Sequence, residues 1–582
     1  MHHLSSQPFR SLASLALPLV LIPSAFPQAG FTEITDASNP IVTFTSQGVY
    51  KGAAWVDYDN DNDIDLFAAP RFLFRNEGGG VFTQITTTIG ATPQQNVGGC
   101  SWGDRDNDGD PDMILAQYPS GVFRNDGGGT FTDLTSQYDS LSNWASWAGA
   151  LGSSGDDQQL DMLFAHAAGF HPTSAQITPS RLYSTAEPDL QGLITGLEIT
   201  DQLGPYTVAF WSDYDLDGDM DIFMASGPGG SPGPDFCYRN MFMETGTADL
   251  VRMTTEQFSI DQQDGQCYNF IDFDNDRDLD LMLTNYGGAP TRLYANVGGT
   301  YNTVLGFNTI GNYLSNDWGD FDNDGDLDVI LSLEGTGMVY YRNDGGALVL
   351  TPNALPSGPN AAGVVNGDYD NDGDLDVFAH GNNAGKALFR NDTVAPATNH
   401  WINLALTGVQ SNRSAIGAHV SIKAVINGVP TWQLREVNAQ NSFQGHNDQR
   451  VHFGLGNASI IDSLVVRWPA GLVQNFTAVA PNVFYFLTED QGLTTSVSNA
   501  EGEAAAFTLL NDPAQQRVVI IHPASNAYEQ WSMVDGQGRA IRSGRLVGER
   551  TTISVAGMAQ GAYVLVITIG ARTTSMKFLV SR

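Results

Sequence analysis

A nine-residue acidic string that returns along this 582-residue chain constrains its fold more than any other feature. "DFDNDGDLD" begins at Asp320 and places a carboxylate at every odd position. The pattern recurs as "DYDNDNDID" from Asp57, "DRDNDGDPD" from Asp104, "DYDLDGDMD" from Asp213, "DFDNDRDLD" from Asp272 and "DYDNDGDLD" from Asp368. A degraded copy, "SSGDDQQLD", begins at Ser153, so successive starts lie 47, 49, 60, 59, 48 and 48 residues apart. Self-similarity at this spacing marks a repeat architecture, in which each unit is one small supersecondary element.

The flanks of the string repeat as well. Two residues before it stands a large apolar residue in most copies: Trp55, Trp102, Leu151, Trp211, Phe270 and Trp318, with Asn366 breaking the rule. An apolar run such as "LFAA" or "VILS" follows, then a turn and a second run, "FLFRN" (72–76), "GVFRN" (121–125), "VYYRN" (339–343) or "ALFRN" (387–391). Two copies continue through "GGG" into "VFTQIT" and "TFTDLT", which read as a hairpin into a fourth strand. Each unit is thus about four short strands, the size of one propeller blade. The last unit lacks its fourth strand, and an orphan "GFTEIT" (30–35) precedes the first. Pairing the two closes a seven-bladed ring and removes an exposed sheet edge. The expected fold class is all-β: a seven-bladed β-propeller with two C-terminal β domains.

Five carboxylates in nine residues repel strongly unless something neutralises them. Positions one, three and five of an extended loop project to one side. A sharp turn at six then brings the carbonyl of seven and the carboxylate of nine around to close a shell. Hard oxygens in this number suit Ca²⁺. The candidate ligands are therefore Asp57, Asp59, Asp61, Asp63 and Asp65; Asp104, Asp106, Asp108, Asp110 and Asp112; and Asp213, Asp215, Asp217, Asp219 and Asp221. They continue with Asp272, Asp274, Asp276, Asp278 and Asp280; Asp320, Asp322, Asp324, Asp326 and Asp328; and Asp368, Asp370, Asp372, Asp374 and Asp376. That gives about six Ca²⁺ sites of structural purpose. An EF-hand would need Glu at position twelve and flanking helices. Ala68, Leu115, Met224, Leu283, Leu331 and Ala379 occupy that position, all in strand-like runs. Arg277 at the turn position predicts a weaker fifth site, because a left-handed backbone suits it less than Gly or Asn. The third copy offers only Asp157 and Asp161 at ligand positions, and no tight ion is expected there.

These repeats resemble the FG-GAP/VCBS repeats of integrin α-chain propellers and of many secreted bacterial proteins, over residues 30–395. Such propellers bind ligand on the face opposite their calcium. On that face two neighbouring repeats carry long turns, "HAAGFHPTSAQITPS" (166–180) and "SGPGGSPGPDF" (226–236). His166, Phe170, His171 and Phe236 are the candidate ligand contacts there, since functional loops concentrate on rigid scaffolds. A tolerated surface insertion is the alternative.

Beyond residue 395 the acidic strings stop. Ser411-Asn412-Arg413, Ile416-Gly417-Ala418, His452-Phe453-Gly454-Leu455-Gly456 and Val466-Arg467-Trp468-Pro469 resemble the ASPIC/UnbV domain, over 399–480. Arg413, Arg435, Arg467 and His452 either form an anion site or pair with local acids. A polar stretch at 488–506 has linker composition. Residues 507–582 return to β alternation. Asn511, Pro513, Gly538, Met558–Gly561 with Tyr563, and Lys577–Val580 resemble a type IX secretion sorting domain, although the usual Pro-Asn-Pro opening reads "LNDPA".

At the other end, Arg10, the apolar run from Leu12 to Ile22 and the small residues Ala25 and Ala29 form a secretory signal pattern over 1–29. No other apolar stretch is long enough to span a bilayer. A net charge of −37 argues against nucleic acid or anionic membrane as partner. Three cysteines make no disulfide framework, although Cys237 and Cys267 could pair. "GCSWG" (99–103) matches the G-x-S-x-G elbow, but it falls where other repeats enter the acidic loop, so coincidence is the better reading. The expected protein is a secreted or cell-surface calcium-binding propeller for adhesion or for binding an extracellular protein or glycan, not an enzyme. Its C-terminal domain would engage secretion machinery. A secreted hydrolase of polysaccharide or phosphoester is the alternative.

Overall fold

In the computed structural model, each acidic string joins the first two strands of one antiparallel sheet. Residues 30–495 are described apart from 90–97, 139–140, 142–143, 156–157, 167–178, 188–189, 205, 228–231, 305–308, 357 and 393–398. From 508 to 580 the omitted residues are 513–516, 522–528, 536–539, 547–549, 559–560 and 570–571. No described helix is long and apolar enough to cross a membrane.

Among the described residues seven sheets follow one another, and the first six each have four main strands in sequence order. Their innermost strands are Ala53–Val56, Gly99–Gly103, Ala148–Gly152, Phe210–Ser212, Gly265–Ile271, Tyr313–Gly319 and Ala361–Gly367. They stand side by side around a ring, and the seventh returns to touch the first. The seventh sheet takes its outer strand from the N-terminal side, with Phe31 opposite Asn391 and Glu33 opposite Phe389. The expected closure of the ring is therefore present.

The large apolar residue ahead of each loop explains how sheets pack. Trp55, Trp102 and Trp211 are fully buried. Trp55 stacks at 5.9 Å on Tyr369 of the seventh sheet, and Trp102 meets Phe67 of the first edge-on at 5.5 Å. Burying rings of this size contributes several kcal/mol each, at ~25 cal/mol per Å². The "GGG" turn has a steric reason: at Gly80, with φ +75°, a Cβ would come within 2.5 Å of Tyr369. Asn366 departs from the apolar rule because its amide donates to Asp317 Oδ1 and to the Trp318 carbonyl.

Residues 400–495 form two facing sheets. One pairs His400–Thr407 with Val451–Gly456 and, in parallel, with Val483–Thr488, which pairs Thr494–Thr495. The other is ordered Val429–Glu436, His419–Ile426, Ile461–Arg467, Val473–Val479. Strand pairing thus runs past residue 480 and into the stretch expected as linker. There buried Glu489 accepts the N–H groups of Val409, Gln410 and Ser411. Two further sheets follow within 508–580, over their own core of Val518, Ile520, Met533 and Leu565.

The connection between Glu436 and Val451 enters the hub of the ring. Innermost strands of a propeller leave one edge of backbone groups unpaired toward the axis, and these need partners. The polar segment "NAQNSFQGHNDQ" (438–449) supplies partners to several of them and bonds strand side chains besides. Ala53 O accepts from His446 N at 3.1 Å, Cys100 N donates to Gln444 O at 3.1 Å, and Trp211 O accepts from Asn438 Nδ2 at 3.0 Å. Asn269 Nδ2 donates to Asn441 O at 2.9 Å, Ser315 Oγ accepts from Phe443 N at 3.2 Å, and Asn366 N donates to Asn447 Oδ1 at 3.0 Å. A Cβ at Gly52 would lie 1.7 Å from the Gln444 carbonyl oxygen, so glycine there admits the segment.

Candidate metal centres

The acidic loops hold their shape through their own carboxylates. In the sixth, Asp320 accepts from the N–H groups of Asp324 (3.0 Å) and Gly325 (2.8 Å), and Asp324 accepts from Asp326 N at 3.0 Å. Asp328, at position nine, accepts from Phe321 N within the loop and from Asn343 N on the third strand. These are Asx-type turns, in which a short acidic side chain stands in for a backbone acceptor. Two backbone positions are left-handed: position six (Asn62 φ 75°, Arg277 φ 78°, Gly325 φ 105°) and also position four (Asn60 φ 59°, Leu216 φ 61°, Asn323 φ 57°).

Other oxygens of the same loops have no donor. Asp59 Oδ1, both oxygens of Asp322 and Asp370 Oδ1, all at position three, are buried without a hydrogen-bond partner, as are Asp221 Oδ2 and Asp272 Oδ2. Oxygens from positions one, three and five converge within 4.8 Å in the first, second and fifth loops. Leaving one such group unsatisfied costs about 1–3 kcal/mol, more when it is charged. The donor set, all hard oxygens with several orphaned, fits a divalent cation. Carboxylates at position seven face away: Asp63, Asp110, Asp326 and Asp374 each accept from an asparagine of a neighbouring loop.

That asparagine is a signal the sequence reading missed. Position four donates across to the next loop, from Asn60 to Gly109 O and Asp110, from Asn275 to Gly325 O and Asp326, and from Asn323 to Gly373 O and Asp374. Asn371 reaches Asp63 and so ties the seventh loop to the first. A second missed signal is the Asn of "FRN". Its N–H donates to position nine, while its amide reaches the preceding sheet, as from Asn76 to Tyr369 O and from Asn343 to Phe273 O. Both recur visibly in sequence, but their partners lie one blade away.

Burial, reinforced by neighbouring loop carboxylates, raises the acids. Asp57 is pushed up to about 7 and Asp104 to about 7. Asp112 rises to about 8 and Asp280 to about 9, while Asp328 and Asp376 lie well above the usual carboxylate range. A carboxyl raised on folding stabilises fully below its unfolded value, near 4, and that contribution is lost as pH rises through the folded value. Chelator-stripped protein is therefore expected to melt higher at about pH 5 than at about pH 8. With excess Ca²⁺ the order should reverse, because protons then compete with the cation. Thermal melts at both pH values check this, and a flat profile for stripped protein would contradict it.

The two-sheet domain at 400–495 lies against this acidic face. Arg435 reaches between the fifth and sixth loops, where Asp272, Asp320 and Asp326 surround it. Arg450 donates to Asp448 at 2.6 Å, to Asn371 Oδ1 at 2.9 Å and to the Asp368 carbonyl at 2.7 Å. Glu436 accepts from Asp213 N and Ser212 Oγ. His452 Nε2 lies 3.1 Å from Gly373 O, and Trp401 stands against Gly373. Arg277 places its guanidinium 4.3 Å from the Trp432 ring, which stabilises an otherwise strained left-handed residue. The anion-site alternative is thus corrected: Arg413 is half-exposed beside Asp104, Arg467 is exposed, and Arg435 and His452 face separate loops.

On the candidate ligand loops, His166 is buried and packs 5.2 Å from the Trp144 ring. Phe236 is half-buried, edge-on to Tyr206 at 5.0 Å and beneath the Arg252 guanidinium. Phe170 and His171 lie outside the described residues, as does Asp157 of the third loop. Asp161 accepts from Ser154. All three cysteines are free and buried, so Cys237 and Cys267 do not pair. Ser101 of "GCSWG" sits mid-strand, buried, and donates to Ala439 O at 2.8 Å.

Two families match parts of these units. The family described as "FG-GAP-like repeat" matches residues 57–115 and 272–331, and "ASPIC and UnbV" matches 408–494. No curated protein matches the chain. Among solved structures, YCF48 from Cyanidioschyzon merolae is 12% identical, with a TM-score of 0.38 over 62% of this chain and 99% of that one. The extracellular domain of the putative hybrid two component system BT4673 from B. thetaiotaomicron is 9% identical, with a TM-score of 0.40 over 95% of this chain and 59% of that one. The exotype rhamnogalacturonan lyase YesX is 12% identical, with a TM-score of 0.31 over 76% and 91%.

Proposed function

We infer that this chain of FG-GAP-like repeats with an ASPIC/UnbV domain is an exported binding protein whose propeller is stabilised by Ca²⁺. The carrying observation is the set of buried, donor-less carboxylate oxygens at position three, on Asp59, Asp322 and Asp370. Positions one, three, five and nine would supply carboxylates and position seven its carbonyl, and the cation supplies the charge that the loops lack. Ca²⁺ is favoured over Mg²⁺ because it accepts six to eight oxygens in flexible geometry.

The signal pattern at 1–29 and the sorting-domain resemblance at 507–582 support export to the cell surface or medium. A protein or glycan partner would dock on the face away from the acidic loops, since the ASPIC/UnbV domain covers the loop face. Binding rather than hydrolysis is the reading, because most clustered carboxylates are committed to the loops. Calorimetric titration of the stripped full chain tests the cation. Saturable heat with Ca²⁺ and weak or no heat with Mg²⁺ is expected. Absence of Ca²⁺ heat would overturn the reading.

A further inference from the structure

Four sheets end their third strand in Arg-Asn followed by an acid, and there the arginine is held by that acid. Arg75 pairs with Glu77 at 2.6 Å, Arg124 with Asp126 at 2.7 Å, Arg342 with Asp344 at 2.8 Å and Arg390 with Asp392 at 2.9 Å. The fourth sheet reads Arg239-Asn240-Met241, so the acid is missing. Its guanidinium turns into the acidic loop instead. Nε lies 3.0 Å from Asp215 Oδ2, and Nη2 lies 2.9 Å from Asp217 Oδ2 and 2.7 Å from Glu244 Oε1. Asp215 and Asp217 are positions three and five. Position three is where the first, sixth and seventh loops leave oxygens without a donor.

We propose that Arg239 is a built-in counter-ion of the fourth loop, which takes up Ca²⁺ only when the guanidinium leaves and is therefore the weakest of the six. The proposal rests on the calcium reading above. The loop is not destroyed as a site, since Asp213, Asp215 and Asp221 still bring oxygens within 4.8 Å of one another. Departure is also feasible, because Glu244 keeps a partner for Arg239 outside the shell. A guanidinium shared among three partly exposed carboxylates is a modest competitor, so the site is weakened rather than abolished. Arg277 in the fifth loop acts differently: its guanidinium lies on the Trp432 ring.

The test uses the full chain, stripped and reloaded at low free Ca²⁺, then desalted for elemental counting. Met241→Asp restores the parking acid of the other four sheets. It should retain one more Ca²⁺ per chain than the wild type, and Arg239→Gln should do the same. In titration, the weakest class of site should tighten about tenfold in both variants. Circular dichroism confirms that each is folded. Equal, non-zero counts in all three proteins would overturn the proposal and leave the calcium reading standing. No Ca²⁺ in any of them would overturn both.

Discussion

Stripping divalent cations from the full chain at about pH 8 is expected to lower its melting temperature by more than ~10 °C. With free cation at a hundred times Kd, one site adds ~2.7 kcal/mol to stability by mass action. Several such sites together rival the ~5–15 kcal/mol that a domain ordinarily commands. The stripped state is also actively strained, since Asp320, Asp322 and Asp328 are at most 1% exposed and face one another. Part of that strain is relieved by protonation, which is why the loss should be largest at alkaline pH. Scanning calorimetry with chelator, followed by excess Ca²⁺, gives the loss and its recovery, and Mg²⁺ should restore little. A shift of only a few degrees would mean that the asparagine bridges and buried arginines hold the loops without a cation.

Arg450→Ala should cost about 3–5 kcal/mol, the usual penalty for removing one member of a buried ion pair. The Arg450 side chain is 11% exposed and its partner Asp448 only 6%. It also bonds Asn371 and the Asp368 carbonyl, and its charge favours ionised Asp57 and Asp368. The substitution would leave acids from both domains facing each other across the seam. Arg450→Lys should recover only part of the loss, because an ammonium cannot reproduce the planar fork that engages three acceptors. Asp448→Asn placed in the Arg450→Ala background should return some stability, since the stranded charge is then gone. Denaturant unfolding measures all three. A cost below ~1 kcal/mol for Arg450→Ala would show that the pair behaves as a surface contact.

The ring was legible in sequence because its signals are local and repeated. Period-two acids, a large apolar residue before most strings and an orphan strand at the start together point to the sheet number and the closure. The hub segment 438–449 carried no such signal. It lacks apolar alternation, and its Asn, Gln, Ser and His side chains read as loop composition. The segment's partners are strand backbones as much as about 390 residues away, from Ala53 to Asn366. Arg435 and His452 leave an anion site open in sequence for the same reason: nothing beside them in the chain reveals the acidic face on which they lie. The asparagine at position four was visible in five of the six strings. Its role requires the neighbouring blade, and the left-handed backbone that aims it is not written in any one copy.

Whether the acidic strings are cation sites is read by counting ions. The full chain, equilibrated with Ca²⁺, desalted and analysed by elemental emission, should carry several Ca²⁺ per molecule. Charge-removing Asp→Asn changes at position three of the first, sixth and seventh loops should each lower that number by one. A chain that retains no Ca²⁺, or one whose count ignores Asp59, Asp322 and Asp370, would mean that the acidic strings are not cation sites.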